Sequence, residues 1–115
     1  MKFGLVQMDS GDDKNLNISK AVDLIKFSAK QGAKFVALPE IFNFRGNIQD
    51  NKIFEVAEVI PGVSLKPLMS LAKELDISIL AGSIYEKDIK FQNVYNTSVL
   101  INSFGTIVCN SLSMI

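Results

Sequence analysis

Residues 34–40, Lys-Phe-Val-Ala-Leu-Pro-Glu, decide how this chain folds. The apolar run that ends at Leu38 is typical of a buried strand. Pro39 has no backbone N–H to donate to a sheet ladder, so the strand must end there. The sequence therefore predicts a buried strand over residues 34–38, with Glu40 just beyond its carboxyl end.

A strand and a helix precede this stretch. Residues 2–8 are dense in apolar, β-compatible side chains and end at a polar cluster. From Asn15 the apolar residues recur at helical spacing. Asp12 or Asp13 can cap this helix, and Gln31-Gly32 can end it. Strand, helix and strand in this order predict a parallel βαβ unit with a right-handed crossover.

A long connection follows Glu40. Residues 40–63 predict an ordered segment with a short helix near Ile53 to Val59, and connections of that length usually carry function. Ser64 is placed to cap a second amphipathic helix.

The rest of the chain predicts further strands. Four runs share a β-compatible composition and are separated by turn residues, which indicates an antiparallel extension of the sheet. We therefore expect an α/β fold with a single core. The runs cover residues 77–81, 83–87, 94–101 and 106–109, with turns centred on Asp88 and at residues 102–105.

Composition excludes several classes of function. The 115 residues include 12 basic and 12 acidic side chains, so the chain lacks the positive charge that attracts nucleic acid or an anionic membrane. It has no histidine, which excludes Ser-His-Asp and Cys-His catalysis and His-ligated zinc within the chain. The one cysteine excludes an internal disulfide, and no signal peptide or membrane span is recognisable, so we expect a cytoplasmic protein without a metal site.

Glu40 is the first candidate for chemistry. It stands at the carboxyl end of a predicted parallel strand, where open α/β sheets bind their ligands. Two interpretations stay open, namely a surface carboxylate that merely ends a strand, or a general base. The second requires neighbours such as Phe42 and Phe44 to bury the carboxylate at least partly.

Other polar or reactive side chains favour structural roles. Arg45 is more typical of a surface or ion-pair residue than of a bidentate carboxylate ligand. Cys109 lies on an apolar strand, which predicts a buried, slowly reacting thiol. Asn93, Tyr95 and Asn96 begin a strand, where their polar groups can bond loop backbone. Three lone glycines predict turns and show no phosphate-loop spacing: Gly62, Gly82 and Gly105.

Several short motifs between residues 3 and 108 follow one another in a specific order, although none is diagnostic alone. They are Val6-Gln7-Met8, Gln31-Gly32-Ala33-Lys34, Leu38-Pro39-Glu40, Pro61-Gly62, Gly82-Ser83-Ile84 and Tyr95-Asn96-Thr97. In this order and spacing they resemble the N-terminal portion of the nitrilase superfamily of carbon-nitrogen hydrolases. Within it, the Nit-type and omega-amidase-like amidases look most similar.

The resemblance implies an αββα sandwich, of which this chain is the N-terminal part, with a mixed sheet and helices on one face. It also implies a Glu-Lys-Cys triad that cleaves a small amide or nitrile without a cofactor, with Glu40 as the general base. The cysteine attacks the substrate carbon and the lysine stabilises the oxyanion. Counting from Gly105, Ser113 takes the lysine position, and the cysteine would lie beyond residue 115, so Cys109 is not its counterpart.

Three hypotheses follow. In the first, residues 1–115 are a partial carbon-nitrogen hydrolase domain from a truncated reading frame, which keeps the general base and is inactive alone. In the second, the chain is a non-catalytic interaction module whose exposed sheet face associates with a second copy or a full-length relative. The third is a small nucleotide-binding domain, which the acidic pair Asp12-Asp13 disfavours because phosphate would sit beside it.

Overall fold

The computed structural model describes residues 1–46 and 52–114. In chain order the elements are β1 (Lys2–Leu5), α1 (Lys14–Lys30), β2 (Ala33–Ala37), α2 (Ile53–Val56), α3 (Leu65–Leu75), β3 (Ser78–Asp88), β4 (Asn93–Ile101) and β5 (Ile107–Met114). The strands form one sheet in the order β1-β2-β3-β4-β5. The first three run parallel, and β4 and β5 continue antiparallel, which confirms the expected mixed α/β sheet.

One face of the sheet forms the core. Side chains alternate between faces along a strand, so register-paired residues share a face. The middle of one such row is fully buried in a core that also contains Ile25 of α1 and Leu68 of α3, which places both long helices on this face. The row consists of Gly4, Val36, Ile79, Ile101 and Ile107.

None of the helices in the described ranges is long and apolar enough to cross a bilayer.

The predicted βαβ unit is confirmed. The Asp13 carboxylate caps α1 by accepting a hydrogen bond from the backbone N–H of Leu16 at 3.1 Å. Gly32 follows the helix with φ 97°, a left-handed conformation that glycine adopts without strain. The first strand is shorter than predicted because regular pairing ends at Leu5, although the Val6 N–H still reaches the Ala37 carbonyl at 2.9 Å.

The predicted role of Ser64 is wrong. It stands at the N-terminus of α3, but its side chain makes no capping hydrogen bond. Its hydroxyl instead donates to the Glu58 carboxylate, while its N–H donates to the other oxygen of Glu58 at 2.9 Å. The Ser64 hydroxyl therefore donates to a buried carboxylate and its oxygen accepts from the Asn43 amide, so it does not cap the first turn of α3. The predicted short helix is present as α2, and residues 47–51 of the predicted connection lie outside the described residues.

Two of the predicted strands are one. Residues 78–81 and 83–87 belong to β3, which is interrupted by a register shift between Ala81 and Ile84, and Ile77 precedes the strand. Gly82 lies in this irregularity and not in a turn. Glycine is needed there because a Cβ built on it would stand 2.0 Å from the Pro39 carbonyl oxygen. The segment that carries Glu40 therefore crosses directly over the backbone of β3.

Candidate active site

The Glu40 segment leaves the sheet at the carboxyl end of β2. The Leu38 N–H still bonds to β3, at 2.9 Å from the Leu80 carbonyl oxygen. After Pro39 the chain turns sharply, and Ile41 adopts a φ of 48°. The Ile41 N–H donates to the Ser83 hydroxyl at 2.9 Å, so the turn is tied to β3. Glu40 thus lies where the sequence predicted it.

The Glu40 carboxylate is held by β4. Its Oε1 accepts a hydrogen bond from the Asn96 side-chain amide at 2.8 Å, across 56 residues of chain. The Arg45 guanidinium donates to the Glu40 main-chain carbonyl at 2.9 Å and lies on the surface. Arg45 therefore supports the turn, and the Asn96 amide orients the carboxylate itself.

The expected burial of Glu40 among aromatic side chains is wrong. Glu40 is exposed, whereas Phe42 is fully buried in the core and Phe44 is half-buried. The turn at Ile41 separates these directions, because Phe42 packs on the helix side while the carboxylate lies against Asn96. The described residues that line the space beside this carboxylate include no aromatic side chain.

Glu40 lines an open groove of about 310 Å³. The register of β4 and β5 explains which side chains line this groove with Glu40, since Asn96 pairs with Ser113 and Ser98 pairs with Ser111. Ser113, the position that the family resemblance assigns to a lysine, therefore lies next to the amide that holds Glu40. The groove is also lined by Gly82, Ser83, Ser98, Ser111 and Leu112.

The chemistry of this groove is incomplete for hydrolysis. A fixed carboxylate can accept a proton, and serine hydroxyls and an amide can bind a polar substrate. Neither a thiol nor an amine is among the groove residues that the structure describes. In the described ranges, moreover, His, Cys, Asp and Glu side chains form no cluster of three or more that could hold a metal ion.

Asn96 is the site residue that sequence reasoning missed. The pattern assigned its amide, together with Asn93 and Tyr95, to loop backbone. The structure directs the Asn96 amide to Glu40 and leaves Asn93 at the far end of β4, opposite Asp88. The Tyr95-Asn96-Thr97 motif belonged to the resemblance, so that motif was the available signal for Asn96.

A buried polar network fixes the loop that follows Glu40. Glu58 is 6% exposed, and its carboxylate pairs with the Lys14 ammonium at 3.0 Å. The same carboxylate accepts a hydrogen bond from the Asn43 amide at 3.1 Å, and that amide also donates to the Ser64 hydroxyl at 2.9 Å. Asn17 of α1 donates to the Asn43 carbonyl at 3.0 Å. The network therefore joins α1, the Glu40 loop and the start of α3.

We expect Glu58→Ala to lower the free energy of unfolding by about 2–3 kcal/mol, because it leaves buried donors of Asn43 and Ser64 without an acceptor. Denaturant unfolding measures the change. Glu55→Ala is the matched control, since Glu55 is exposed on α2, and it should change stability by less than about 0.5 kcal/mol. Equal effects of the two variants would contradict the role given to Glu58.

The prediction that Cys109 is a buried thiol is wrong. Cys109 is exposed on β5, and it pairs in register with Leu100. The strand lies at the edge of the sheet, and most of its residues are exposed because the helices cover β1 to β4 more fully. The apolar residues next to Cys109 in the sequence therefore do not indicate that its side chain is buried.

In dilute native protein, iodoacetamide should therefore label Cys109 within about threefold of its rate in the urea-unfolded chain. The reason is that no packed side chain has to move before the reagent reaches the sulfur. Mass spectrometry of timed samples gives both rates. Native labelling more than about tenfold slower would show that the thiol is covered.

The comparisons with known proteins agree with this geometry. Residues 2–112 match the family model for carbon-nitrogen hydrolases. The chain belongs to the carbon-nitrogen hydrolase family. Omega-amidase NIT2-B of Xenopus laevis is 42% identical over 109 residues, and omega-amidase NIT2 of Homo sapiens is 38% identical over 108 residues. The alignments include 93% of this carbon-nitrogen hydrolase chain and 37% of each relative.

Solved structures extend the similarity to the fold. The crystal structure of Saccharomyces cerevisiae Nit3, a member of the nitrilase superfamily, matches with a TM-score of 0.85 at 30% identity, over 96% of this chain and 43% of Nit3. The NitFhit protein of C. elegans matches with a TM-score of 0.86 at 24% identity, over 96% of this chain and 27% of that protein. The sheet and helices are those of the N-terminal part of the nitrilase fold, and the chain spans little more than a third of the length of the curated relatives it matches.

Proposed function

We propose that this chain supplies the general base, Glu40, for the hydrolysis of a small amide or nitrile by a thiol mechanism. The observation that carries the proposal is the Glu40 carboxylate at the carboxyl edge of the sheet, with one oxygen held at 2.8 Å by Asn96 and the groove open beside it. A general base must be fixed in direction and within reach of the proton it removes. The family membership supports the same assignment.

The reaction needs two groups that the groove does not provide. The Glu40 carboxylate takes the proton of a cysteine thiol, and the thiolate forms a bond to the amide carbon. A lysine stabilises the oxyanion until the C–N bond breaks, and the protonated Glu40 returns its proton to the nitrogen, which leaves as ammonia. Glu40 then takes a proton from water as the water oxygen attacks the thioester carbon, and it returns this proton to the sulfur when the C–S bond breaks, which releases the carboxylic acid and restores the thiol. The proposal therefore requires a lysine and a cysteine from polypeptide other than these 115 residues.

The substrate class follows from the relatives and from the groove. The curated relatives carry the name omega-amidase, so a small amide is the first choice and a nitrile the second. The hydroxyls of Ser98, Ser111 and Ser113 can bond to the polar end of such a substrate. The chemistry is complete with a carboxylate, a lysine, a thiol and water, so we propose no cofactor. We place the reaction in the cytoplasm because the chain has one cysteine and no internal disulfide.

The test is fragment complementation. The purified chain is assayed with small ω-amides and a nitrile, alone and mixed with the part of Xenopus laevis omega-amidase NIT2-B that this chain does not cover. We expect no turnover by the chain alone, since the described groove residues include neither the thiol nor the lysine that the mechanism requires. We expect turnover in the mixture, which is called the complemented complex below.

Two outcomes would contradict the proposal. One is turnover by the chain alone that disappears in the Glu40→Gln variant, because this would require a reaction without the thiol. The other is a stable complex of the two polypeptides, seen by size-exclusion chromatography, that releases no ammonia. The relative's uncovered part assayed alone is the background control.

A further inference from the structure

The turn that carries Glu40 lies against an irregular part of β3, called the β3 bulge below. Register pairing with β4 stops at Ala81 and resumes at Ile84, so Gly82 and Ser83 stand where β4 has a single residue. An extra residue in a strand is left out of the ladder, and bulges beside functional sites often re-aim a side chain. The β3 bulge can therefore offer polar groups to the segment that crosses over it.

Ser83 accepts hydrogen bonds from the first two backbone N–H groups after Glu40. The Ile41 N–H donates to the Ser83 hydroxyl at 2.9 Å, and the Phe42 N–H donates to the Ser83 carbonyl oxygen at 3.3 Å. Ser83 is 4% exposed, so little solvent reaches these bonds. One residue of the β3 bulge therefore holds two consecutive residues of the turn.

The turn needs this support because of the backbone conformation of Ile41. Its φ of 48° lies in the left-handed region, which β-branched residues rarely adopt because their Cβ comes close to the next carbonyl oxygen. Such a conformation persists only where the surrounding structure imposes it. The side chains of Ile41 and Phe42 are both buried, so their packing and the two bonds to Ser83 together impose it.

The left-handed turn decides where the Glu40 carboxylate points. It lets Phe42 pack in the core while the Glu40 side chain lies against Asn96. If the Ile41 N–H lost its acceptor, Ile41 could relax to an ordinary negative φ, and the peptide group that joins it to Glu40 would rotate. The carboxylate would then leave the position in which the Asn96 amide holds one of its oxygens at 2.8 Å.

We propose that Ser83 is a positioning residue for the general base. Its hydroxyl fixes the left-handed turn at Ile41, and through this turn it fixes the direction of the Glu40 carboxylate. The role in hydrolysis rests on the proposed function of Glu40, but the geometry behind it can be measured without turnover. Ser83 acts through Ile41 and exchanges no proton with the substrate.

The first test is nuclear magnetic resonance of the full ¹⁵N-labelled chain. The side-chain amide of Asn96 gives a pair of signals, which Asn96→Ala identifies by their absence. We expect Ser83→Ala to move this pair most of the way to its position in Glu40→Ala, where the carboxylate is missing. Ser78→Ala is the matched control and should leave the pair in place, since Ser78 is half-buried at the start of β3 and does not line the Glu40 groove. Circular dichroism should show all of these variants folded.

The second test is steady-state kinetics of ammonia release by the complemented complex. A displacement of about 1 Å at a reacting group can cost about a hundredfold in rate. We therefore expect Ser83→Ala to lower kcat by about 10- to 100-fold and to leave KM within about twofold of the wild type. Ser83→Thr keeps the hydroxyl, and strands accommodate β-branched residues, so this variant should recover at least about half of kcat.

Three outcomes overturn the proposal. One is an Asn96 signal pair that Ser83→Ala leaves unmoved. Another is a higher KM with unchanged kcat, which would make Ser83 a substrate contact, since its side chain also lines the groove. The third is an equal loss of kcat in Ser83→Ala and Ser78→Ala. Failure of the general-base proposal is a different result, because Glu40→Gln then keeps the activity of the complemented complex while the Asn96 signals still decide what Ser83 does to the turn.

Discussion

Glu40→Gln should lower kcat for amide hydrolysis in the complemented complex by about 10²–10⁴-fold. The amide of glutamine has nearly the shape of the carboxylate, and its oxygen can still accept the 2.8 Å hydrogen bond from Asn96. It cannot take the proton of the thiol. The variant therefore removes proton transfer while the turn and the groove stay in place, and a steady-state assay of ammonia release measures the loss.

Glu74→Gln is the matched control for this prediction. Glu74 is exposed near the end of α3, on an element that does not line the Glu40 groove. The same change of charge there should leave kcat within about twofold. If Glu40→Gln retained most of the activity of the complemented complex while its thiol was still required, another group would have to be the base.

The local pattern was enough for the elements around Glu40. Apolar spacing, Asp13 before the helix and Pro39 after the strand each act on neighbouring residues, and each does in the structure what the sequence predicted. The parallel unit followed because the helix is long enough to cross the sheet. Position along the chain therefore placed Glu40 at the correct edge of the sheet.

The environment of Glu40 and Cys109 could not be obtained in this way. Burial on a sheet depends on what covers each face and each edge, and a strand pattern says nothing about either. Cys109 lies on the edge strand β5, on the face of the sheet that the helices do not cover, and Glu40 lies against Asn96 on the same face. Both expectations of burial failed for the same physical reason.

Contacts between distant side chains were also out of reach. Asn96 meets Glu40 only after β3 and β4 have formed their hairpin, and Glu58 collects partners from Lys14, Asn43 and Ser64. No periodicity marks such a set, because its members share neither spacing nor residue type. A charged residue in an otherwise ordinary loop has no local feature that separates a buried ion pair from a solvated one.

Gly82→Ala should lower the free energy of unfolding by about 3 kcal/mol. A Cβ at this position would lie 2.0 Å from the Pro39 carbonyl oxygen and 2.3 Å from the Leu38 carbonyl oxygen. Both neighbours are backbone atoms, and the Leu38 N–H is bonded to β3, so neither can move by a side-chain rotation. The Glu40 segment must therefore lift away from β3 or β3 must distort, and either change costs hydrogen bonds at the site.

The same variant should also separate Glu40 from Asn96, since Pro39 directly precedes Glu40. We expect Gly82→Ala to reduce kcat in the complemented complex as well as stability. The assay of ammonia release measures kcat, and denaturant unfolding at a fixed protein concentration measures stability. Gly11→Ala is the control, because a Cβ on Gly11 meets nothing within 4 Å. Alanine lowers the conformational entropy of the unfolded chain, so the stability of that variant should be unchanged or higher by up to about 1 kcal/mol. If Gly82→Ala matched Gly11→Ala in stability, the close crossing of the Glu40 segment over β3 would be contradicted.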